Sequence, residues 1–413
     1  MSKNTGKALS IGERQRRLVR RRERKMAKSP TNFVRGTPRQ FYDWLESGEG
    51  RDLPEGPAIW ICGDCHFGNL GPIAAPTGDI AIEPRDFDQA VIGNPAHDLV
   101  RLALSLATVA RGSDLSGLII AAMLEEIARG YDLALAARPR RAASAHLPEA
   151  ARLALHKAVG RKWRQLARER IGGASKLIPR GKRFWDPLRS ERQAIEVLFR
   201  EDPVRAMVTS LRGRDDHAPV EVLDAAYWIK GCSSLGGLRF AVLVEIGGDE
   251  PDALRHALID IKQAGPAAAP AQANAPMPAS PGARVIEGAR HLSPNVGKRM
   301  VAGHIDRRPV FARELMPQDL KLEVGGLDPA GARGLASYLA YVVGKAHARQ
   351  MSAADRQAWR RLIQPRHLRG VQTPSWLWES VISLLARYDR AYLEHCRMLA
   401  AERPALEGEQ AAA

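Results

Sequence analysis

Residues 61–71 read ICGDCHFGNLG, and this stretch decides how the rest of the chain is interpreted. Asp64 and Asn69 are separated by four residues, on a glycine-containing turn that follows the apolar run of residues 58–61. A second acidic cluster, DFD at residues 86–88, follows another short apolar run. An Asp, four residues, an Asn and a later Asp-Phe form the residue order that phosphoryl-transfer sites use. The stretch therefore favours a site that handles phosphate groups.

Each polar residue of this order has a distinct expected role. Asp64 positions the acceptor hydroxyl, whereas Asn69 and Asp86 hold metal ions on the nucleotide phosphates. Asp88 is a secondary candidate for the same site. The alternative interpretation is purely structural, because Asp, Asn and Gly are also the ordinary residues of turns.

Residues 93–99, GNPAHDL, extend the pattern. Asn94 can cap a helix whose first turn begins at Pro95. Asp98 then lies in that first turn, where its side chain is free to reach back to the loop. We therefore expect Asp98 to be a further candidate residue at the site.

Cys62, Cys65 and His66 offer a different chemistry, since C-x-x-C-H matches c-type haem attachment and C-x-x-C matches a redox dithiol. Haem attachment requires export, and no signal peptide is visible. The neighbouring glycines favour an extended loop over the helix start of a thioredoxin-like dithiol. A zinc site needs about four ligands, whereas Cys232 and Cys396 are isolated. We interpret the cysteines of the loop as small buried residues, and His66 as a secondary site candidate.

The composition is that of a globular protein large enough for two lobes, with 413 residues, 45% hydrophobic and 26% charged. Four cysteines without pairable spacing favour a reducing compartment, and no run of about 18 apolar residues could span a membrane. These features predict a cytoplasmic protein without a transmembrane segment. The net charge is +16, but residues 1–39 alone hold 13 Lys or Arg against two Glu. Most of the basic character therefore lies in one segment.

Residues 13–28, ERQRRLVRRRERKMAK, form a basic helix candidate with few apolar positions. As a functional element, this helix would make weak contacts with nucleic acid or an acidic surface. As a structural element, it would be a solvated helix held by Leu18, Val19 and Met26. The charge run alone specifies no partner, so both interpretations stay open.

The pattern along the chain predicts five segments. They are a basic arm (1–28), a helical lobe that carries the acidic clusters (29–217), a β-rich lobe (218–325) with a flexible Pro/Ala-rich insert at 265–282, C-terminal helices that complete the helical lobe (326–400) and a disordered tail (401–413).

The β-rich lobe contains a second constellation with a use in phosphate binding. A turn with Ser233, Ser234 and Gly236 precedes a long strand, and a glycine-bearing turn lets backbone N–H groups approach phosphates. Lys262 lies near the end of the next strand and can contact the α- and β-phosphates, while Glu287 on a helix can hold this Lys in place. The alternative is a plain hairpin with an exposed Lys and a surface Glu. The two constellations together favour nucleotide binding, because each supplies what the other lacks.

The order of the two constellations is the reverse of that in an ordinary protein kinase. There, the glycine turn, the Lys and the Glu precede the Asp and Asn of the catalytic loop. The chain therefore predicts a circular permutation, with the catalytic-loop half first and the nucleotide-binding half later. A permutation of this kind is tolerated when the original termini lie close together at the surface.

These motifs resemble an uncharacterised bacterial family, domain of unknown function 2252, over most of residues 20–400. The likeness rests on MAKSP and FVRG within residues 26–36, GDCHFGNLG at 63–71, DFD at 86–88, GGLR at 236–239, Lys262, VIEG at 285–288 and KAHAR at 345–349. The loop is also similar to that of aminoglycoside and choline phosphotransferases, in which G-D-x-x-x-x-N is followed by I-D-F and by G-D-P-x-x-D-L. The chain departs from those enzymes at Cys62, where many have His, at Asn94, where they often have Asp, and in having fewer glycines in the second turn.

The resemblance implies an α+β, protein-kinase-like two-lobed fold, circularly permuted, with a large helical lobe and a small, mainly antiparallel β lobe. It also implies that Asp64 is the catalytic Asp, that Asn69 and Asp86 are metal ligands, and that Asp98 is a structural partner of the loop. We therefore expect an ATP-dependent, Mg²⁺-dependent phosphotransferase that acts on a small molecule or protein with a hydroxyl or amine. The alternatives are a nucleotidyl transferase that passes on AMP, and a non-catalytic protein that binds nucleotide or nucleic acid.

Overall fold

The structure, a computed structural model, has a mixed α+β fold with antiparallel sheets. The expected fold class is confirmed at this level. The structure describes residues 9–50, 52–75, 77–136, 147–173, 177–211, 213–232, 235–247, 255–322, 328–364 and 373–411, with side chains up to residue 401.

A six-stranded antiparallel sheet forms the β-rich part of the molecule. Its strands lie in the order β5-β6-β7-β8-β10-β9 and comprise Phe184–Trp185 (β5), Val220–Trp228 (β6), Arg239–Ile246 (β7), His256–Gln263 (β8), Met300–Ile305 (β9) and Arg308–Glu314 (β10). Apolar side chains of β6, β7 and β8 alternate between two buried clusters, one on each face of the sheet. Helices cover both faces, which explains why the central strands are almost continuously apolar.

Three helices complete these two clusters. Helices α8 (Arg189–Leu198) and α9 (Asp202–Thr209) pack on one face of the sheet, and α7 (Trp163–Ile171) packs on the other. The short helices α10 (Pro281–Leu292) and α11 (Pro294–Gly297) lie between β8 and β9 in the chain.

The largest buried cluster lies among the remaining helices, which are α2 (Pro30–Gly36), α3 (Pro38–Glu46), α4 (Pro95–Arg111), α5 (Gly117–Leu135), α6 (Glu149–Ala158), α12 (Pro329–Ala348), α13 (Ala353–Ile363) and α14 (Ser375–Ala411). Helices α5 and α12 pack closely because α5 has glycine where the two backbones meet. A Cβ at Gly130 would lie 2.0 Å from the carbonyl oxygen of Ser337.

Two short antiparallel ladders support the loops singled out in the sequence. Strand β1 (Ile59–Ile61) pairs with β4 (Val91–Gly93), and β2 (Leu70–Ala74) pairs with β3 (Ile80–Pro84). A 3-10 turn at Phe67–Asn69 leads into β2. These ladders place residues 62–69 beside residues 85–90.

The basic segment is a helix, α1 (Ile11–Met26), packed on the rest of the molecule. Arg14 forms a buried ion pair with Glu191 at 2.6 Å. Leu18 belongs to the cluster under the six-stranded sheet, whereas Met26 belongs to the large helical cluster. Helix α1 therefore bridges the two halves of the structure.

The Pro/Ala-rich segment makes specific contacts near β4. The Gln272 N–H donates to the Ile92 carbonyl at 2.8 Å, the Ala268 N–H donates to Gln89 Oε1 at 2.5 Å, and Ala269 is buried. These contacts are with the backbone of β4 and with a side chain just before it, which the composition of the segment does not indicate.

At the C-terminal end, α14 continues to Ala411 and includes most of the residues predicted to be a disordered tail. Among the described residues, no helix is both long and apolar enough to cross a membrane.

Candidate active site

The buried carboxylate of Asp98 fixes the backbone of the loop that carries Asp64. Asp98 lies in the first turn of α4 and accepts the N–H groups of Cys62 and Gly63, at 2.7 and 3.0 Å. Nε2 of His347 lies 3.2 Å from Oδ2 of Asp98. Asn94 caps the same helix by accepting the Ala96 N–H. The side chain of Asp98 thus reaches back to the loop, as the helix-start pattern indicates.

Gly63 allows this loop to approach the second acidic cluster. Its φ of +69° lies in the left-handed region, and a Cβ there would lie 2.0 Å from the carbonyl oxygen of Gln89. The Arg85 N–H donates to the Asn69 carbonyl at 2.9 Å and joins the two loops at a second point. Only glycine fits at residue 63, because both the space and the backbone angle exclude a side chain.

Asp64 lies at the wall of a cleft, with its side chain 10% exposed. Its Oδ1 accepts a hydrogen bond from Arg101, a fully buried residue of α4 whose Nη1 also contacts the Tyr388 hydroxyl at 3.0 Å. Burial lowers the pKa of Arg101, but Asp64 and Tyr388 raise it by more, so the guanidinium is permanently charged. This contact fixes the orientation of the Asp64 carboxylate.

Asn69 completes the loop at the other end of the 3-10 turn. Its Nδ2 donates to the Asp64 carbonyl at 2.9 Å. The amide orientation that this bond fixes leaves Oδ1 of Asn69 as an oxygen ligand at the cleft, which Asn69 also lines.

Asp86 and Lys262 meet in the same cleft. Nζ of Lys262 lies 3.4 Å from Oδ1 of Asp86, and it also contacts Oδ2 of Asp88. Lys262 is nearly buried, whereas 47% of the Asp86 side chain is exposed to the cleft. Burial raises the pKa of Asp86, but Lys262, Arg239 and Arg313 lower it by more, to about 2. Asp86 is therefore ionised at neutral pH.

Lys262 lies in the middle of the sheet, and its neighbours in the ladder are polar or aromatic. It pairs with Arg239 of β7 on one side and with Phe311 of β10 on the other. Asp260, two residues before Lys262, forms a two-pronged ion pair with Arg239, with distances of 2.9 and 2.5 Å. Arg313 lines the cleft beside them. Sequence reasoning gave Arg239, Asp260 and Arg313 no role in the site. Asp260 and Arg313 lie two residues from Lys262 and Phe311, and Arg239 pairs directly with Lys262, so the three residues share one face of the sheet.

Glu287 lies on α10 and forms an ion pair with Arg290 at 2.7 Å, instead of the predicted pair with Lys262. The residue of α10 that reaches the site is Arg284, one turn earlier. It donates to the carbonyls of Asp88 and Gly265, at 2.7 and 2.9 Å. Arg284 therefore positions the loop that carries Asp86 and Asp88.

The predicted glycine turn is described in part. Ser233 and Ser234 lie outside the described residues, whereas Gly236 has a φ of +118° and lies next to α1. A Cβ at Gly236 would lie 3.2 Å from Nε2 of Gln15. The turn lines the cleft through Gly231, Cys232 and Leu235.

His66 lies beside Asp64, with 3.9 Å between Nε2 and Oδ2, and is almost fully buried. Burial lowers the pKa of His66 to about 4, although Asp64 raises it. The ring is therefore neutral at pH 7. Its Nδ1 is buried and has no hydrogen-bond partner among the described residues.

Cys62 and Cys65 are both buried, and their sulfur atoms lie within 4.8 Å of each other and of a carboxylate oxygen of Asp98. This geometry offers three ligands to a metal ion. However, Asp98 already accepts two backbone N–H groups, and a hydrogen bond with Cys65 together with burial raises the pKa of Cys62 well above its usual value. A protonated thiol is a poor metal ligand. The cluster thus fits the expected role of two small buried residues that flank the loop.

The cleft has a volume of about 1120 Å³ and is strongly cationic. Thirteen Lys or Arg and three Asp line it. The cations come from α1, from Arg35 of α2, from the sheet and from the loops after β3 and β10. Such a cleft attracts ligands with several negative charges.

Comparison with known proteins identifies the family. The model of DUF2252, described as "Uncharacterized protein conserved in bacteria", matches residues 14–398. The chain belongs to this family, and the resemblance of the sequence to this family is confirmed. No curated protein and no solved structure matches the chain.

Proposed function

We propose that this protein is an Mg²⁺-dependent phosphotransferase that uses ATP and has a circularly permuted, kinase-like fold. The observation that carries the proposal is the contact of Lys262 with Asp86 in a cleft that Asp64 and Asn69 also line. A cation for the phosphates, oxygen ligands for a metal and an Asp for the acceptor are the parts that phosphoryl transfer requires.

The oxygen ligands fit Mg²⁺, which prefers carboxylates and other hard oxygen donors. Asp86 would supply an ionised carboxylate, and Asn69 would supply its amide oxygen. Oδ1 of Asp88 is buried and has no hydrogen-bond partner among the described residues, so it is a third available oxygen. When bound, the metal neutralises charge on the phosphates.

Lys262 would bind the phosphates of the nucleotide. Its ammonium contacts Asp86 and Asp88, and a triphosphate that enters the cleft would offer it stronger negative charge. The backbone of the turn that contains Gly236 would approach the same phosphates, because a glycine leaves its N–H groups accessible. Arg284 would keep Asp88 in position while the Lys262 ammonium moves from the carboxylates to the phosphates.

Asp64 would orient the acceptor for attack on the γ-phosphoryl group. Asp64 is held by the Arg101 guanidinium at the wall of the cleft. It would therefore accept a hydrogen bond from the acceptor hydroxyl or amine and receive the proton late, as the bond to phosphorus forms and ADP leaves. The neutral His66 would keep the space beside Asp64 free of a competing positive charge.

Product analysis tests this proposal and separates it from nucleotidyl transfer. The purified protein is incubated with Mg²⁺ and ATP labelled at either the α- or the γ-phosphate, with a library of hydroxyl- and amine-bearing acceptors. Phosphoryl transfer predicts γ-label on the acceptor and release of ADP. Transfer of the α-label with release of pyrophosphate would support the nucleotidyl alternative, and no product with any acceptor would contradict both. Asp64→Asn should lower the rate about a hundredfold or more, whereas the exposed Asp79→Asn should not.

A further inference from the structure

We infer that the cleft binds a second ligand beside the nucleotide, a small molecule that carries two or more phosphate groups, and that the basic face of α1 binds those phosphates. This inference deepens the proposed function, because it names the substrate class of the acceptor. Its first support is the position of α1, which lines the cleft with Arg17, Arg20, Arg21, Arg24 and Lys25, and Lys28 follows just after the helix.

The packing of α1 fixes the orientation of its basic face toward the cleft. Arg14 and Leu18 are buried on one side of α1, by the ion pair with Glu191 and by the cluster under the sheet. On another side, the Tyr392 hydroxyl donates to the Ala27 carbonyl at 3.0 Å. The basic stripe repeats every three or four residues, which is the spacing of one helix face. It extends over about 16 Å, since a helix rises about 1.5 Å per residue.

Within α1, the stripe has an acidic partner in Glu13, which interacts with Arg17 beyond ion-pair distance. Among the described residues, Arg17, Arg20, Arg24 and Lys28 form no ion pair, whereas Lys25 and Arg21 donate to the carbonyls of Gly231 and Lys182. Placing this much like charge together is unfavourable unless an anion binds. The cationic wall therefore resembles an anion site more than a stabilising element.

The nucleotide alone does not account for the cations. Lys262 and Asp86 lie on the opposite wall, formed by the sheet and the second loop, and Mg²⁺ offsets part of the charge of a triphosphate. The cleft volume of about 1120 Å³ also exceeds the usual range of single-ligand pockets, about 300–1,000 Å³. There is room and charge for a second anion.

The side chains favour phosphates over nucleic acid bases. Two aromatic residues line the cleft, Phe87 and Phe311, and both are buried. Proteins that bind single strands use exposed aromatic side chains as stacking surfaces, and the cleft-facing stripe of α1 has none. Arg side chains bind phosphate oxygens in a two-pronged manner without such surfaces.

Lys321 gives the site a pH dependence that supports the same conclusion. Burial, and then Arg35, Arg85 and Lys25, lower the pKa of Lys321 to about 8. A bound phosphate would favour the charged form of this Lys. Binding of the second ligand should therefore weaken as the pH rises above about 8.

The test is calorimetric titration of the full-length protein, saturated with Mg·ADP, with inorganic tripolyphosphate as the probe. The triple substitution Arg17→Gln, Arg20→Gln and Arg24→Gln should weaken tripolyphosphate binding about tenfold or more, given the usual strength of exposed charged hydrogen bonds. The affinity for Mg·ADP should change less than twofold. As a matched control, the single variant Arg16→Gln is compared with the single variant Arg20→Gln. Arg16 is exposed on the same helix but does not line the cleft. Each variant is first shown to unfold at the wild-type denaturant midpoint.

Several results would overturn the inference. The first is that tripolyphosphate binds the wild type and the triple variant equally well. The second is that Mg·ADP displaces tripolyphosphate. The third is that single-stranded oligo(dT) binds more tightly than tripolyphosphate, with an affinity that grows with its length. If Mg·ADP does not bind but tripolyphosphate binding still depends on the stripe, the proposed function fails and the anion site stands. If Mg·ADP binds and tripolyphosphate does not, the second site fails and the proposed function stands.

Discussion

Nζ of Lys262 lies 3.4 Å from Oδ1 of Asp86, although the two residues are 176 positions apart in the chain. Lys262 is fixed in the middle of the six-stranded sheet, and Asp86 follows a short hairpin on the helical side. The strand that carries Lys262 and the hairpin that precedes Asp86 belong to separate ladders. The charged centre of the cleft is therefore a product of how the two halves pack.

The first prediction concerns the carboxylate behind the loop. Asp98→Ala should destabilise the protein by about 2–5 kcal/mol, because the buried N–H groups of Cys62 and Gly63 lose their acceptor. Denaturant unfolding monitored by fluorescence measures this change. Asp79→Ala, at an exposed turn, should alter stability by less than about 0.5 kcal/mol. Equal effects of the two substitutions would contradict the role of Asp98.

The second prediction separates crowding from backbone strain at glycine. Gly78 has a φ of +96° and open space around it, whereas Gly63 has a φ of +69° and the Gln89 carbonyl against it. Gly78→Ala should lower the free energy of unfolding by about 1 kcal/mol, because only the left-handed backbone conformation is unfavourable for alanine. Gly63→Ala should cost about 3 kcal/mol or more, because the backbone must also move. Similar losses in denaturant unfolding would show that the loops do not approach as described.

The third prediction distinguishes the two residues of α10. Arg284→Met should weaken Mg·ADP binding about tenfold, because the carbonyls of Asp88 and Gly265 lose their donor. Glu287→Gln should change the affinity less than twofold, since Glu287 pairs with Arg290 on the helix surface. Calorimetric titration compares the two. A larger effect of Glu287→Gln would mean that Glu287 turns to Lys262 when nucleotide binds.

The fourth prediction concerns pH. Burial lowers the pKa of His66 from 6.5 to about 4, so between these values the unfolded chain binds more protons than the folded protein. Stability should therefore fall as the pH drops through this range, with about 2 kcal/mol lost between pH 7 and 5 through His66. In His66→Gln, the difference in unfolding free energy between pH 7 and 5 should be smaller than in the wild type by this amount. An unchanged pH dependence would show that His66 is not held neutral.

Local patterns in the sequence were sufficient for several parts of the site. The turn with Asp64 and Asn69 and the helix start with Asp98 are set by residues within a few positions of one another, and so is the strand that carries Lys262. Each lies where its pattern indicates, and the loops share one cleft.

Other parts depend on packing that a local pattern does not encode. The choice between Glu287 and Arg284 depends on how α10 packs against the loop, because residues three positions apart point about 60° apart around a helix and lie nearly one turn apart along it. The segment 265–282 has a composition typical of flexible chains, but Gln89 and Ile92 supply its hydrogen-bond partners from 180 or so positions away. For the basic segment, the sequence indicated Leu18 and Met26 as apolar anchors, whereas only the fold shows that they pack in two different clusters.

The most direct test of the central claim is a calorimetric titration of the wild type with Mg·ATP, repeated with Asp86→Asn and with Lys262→Met. The matched controls are Asp79→Asn and Lys298→Met, which change the same groups at exposed positions outside the cleft. We predict that the wild type and both controls bind Mg·ATP alike, and that each cleft variant binds about tenfold or more weakly. Wild-type protein that binds no Mg·ATP, or cleft variants that bind as tightly as the wild type, would contradict the claim that Lys262 and Asp86 form a nucleotide site.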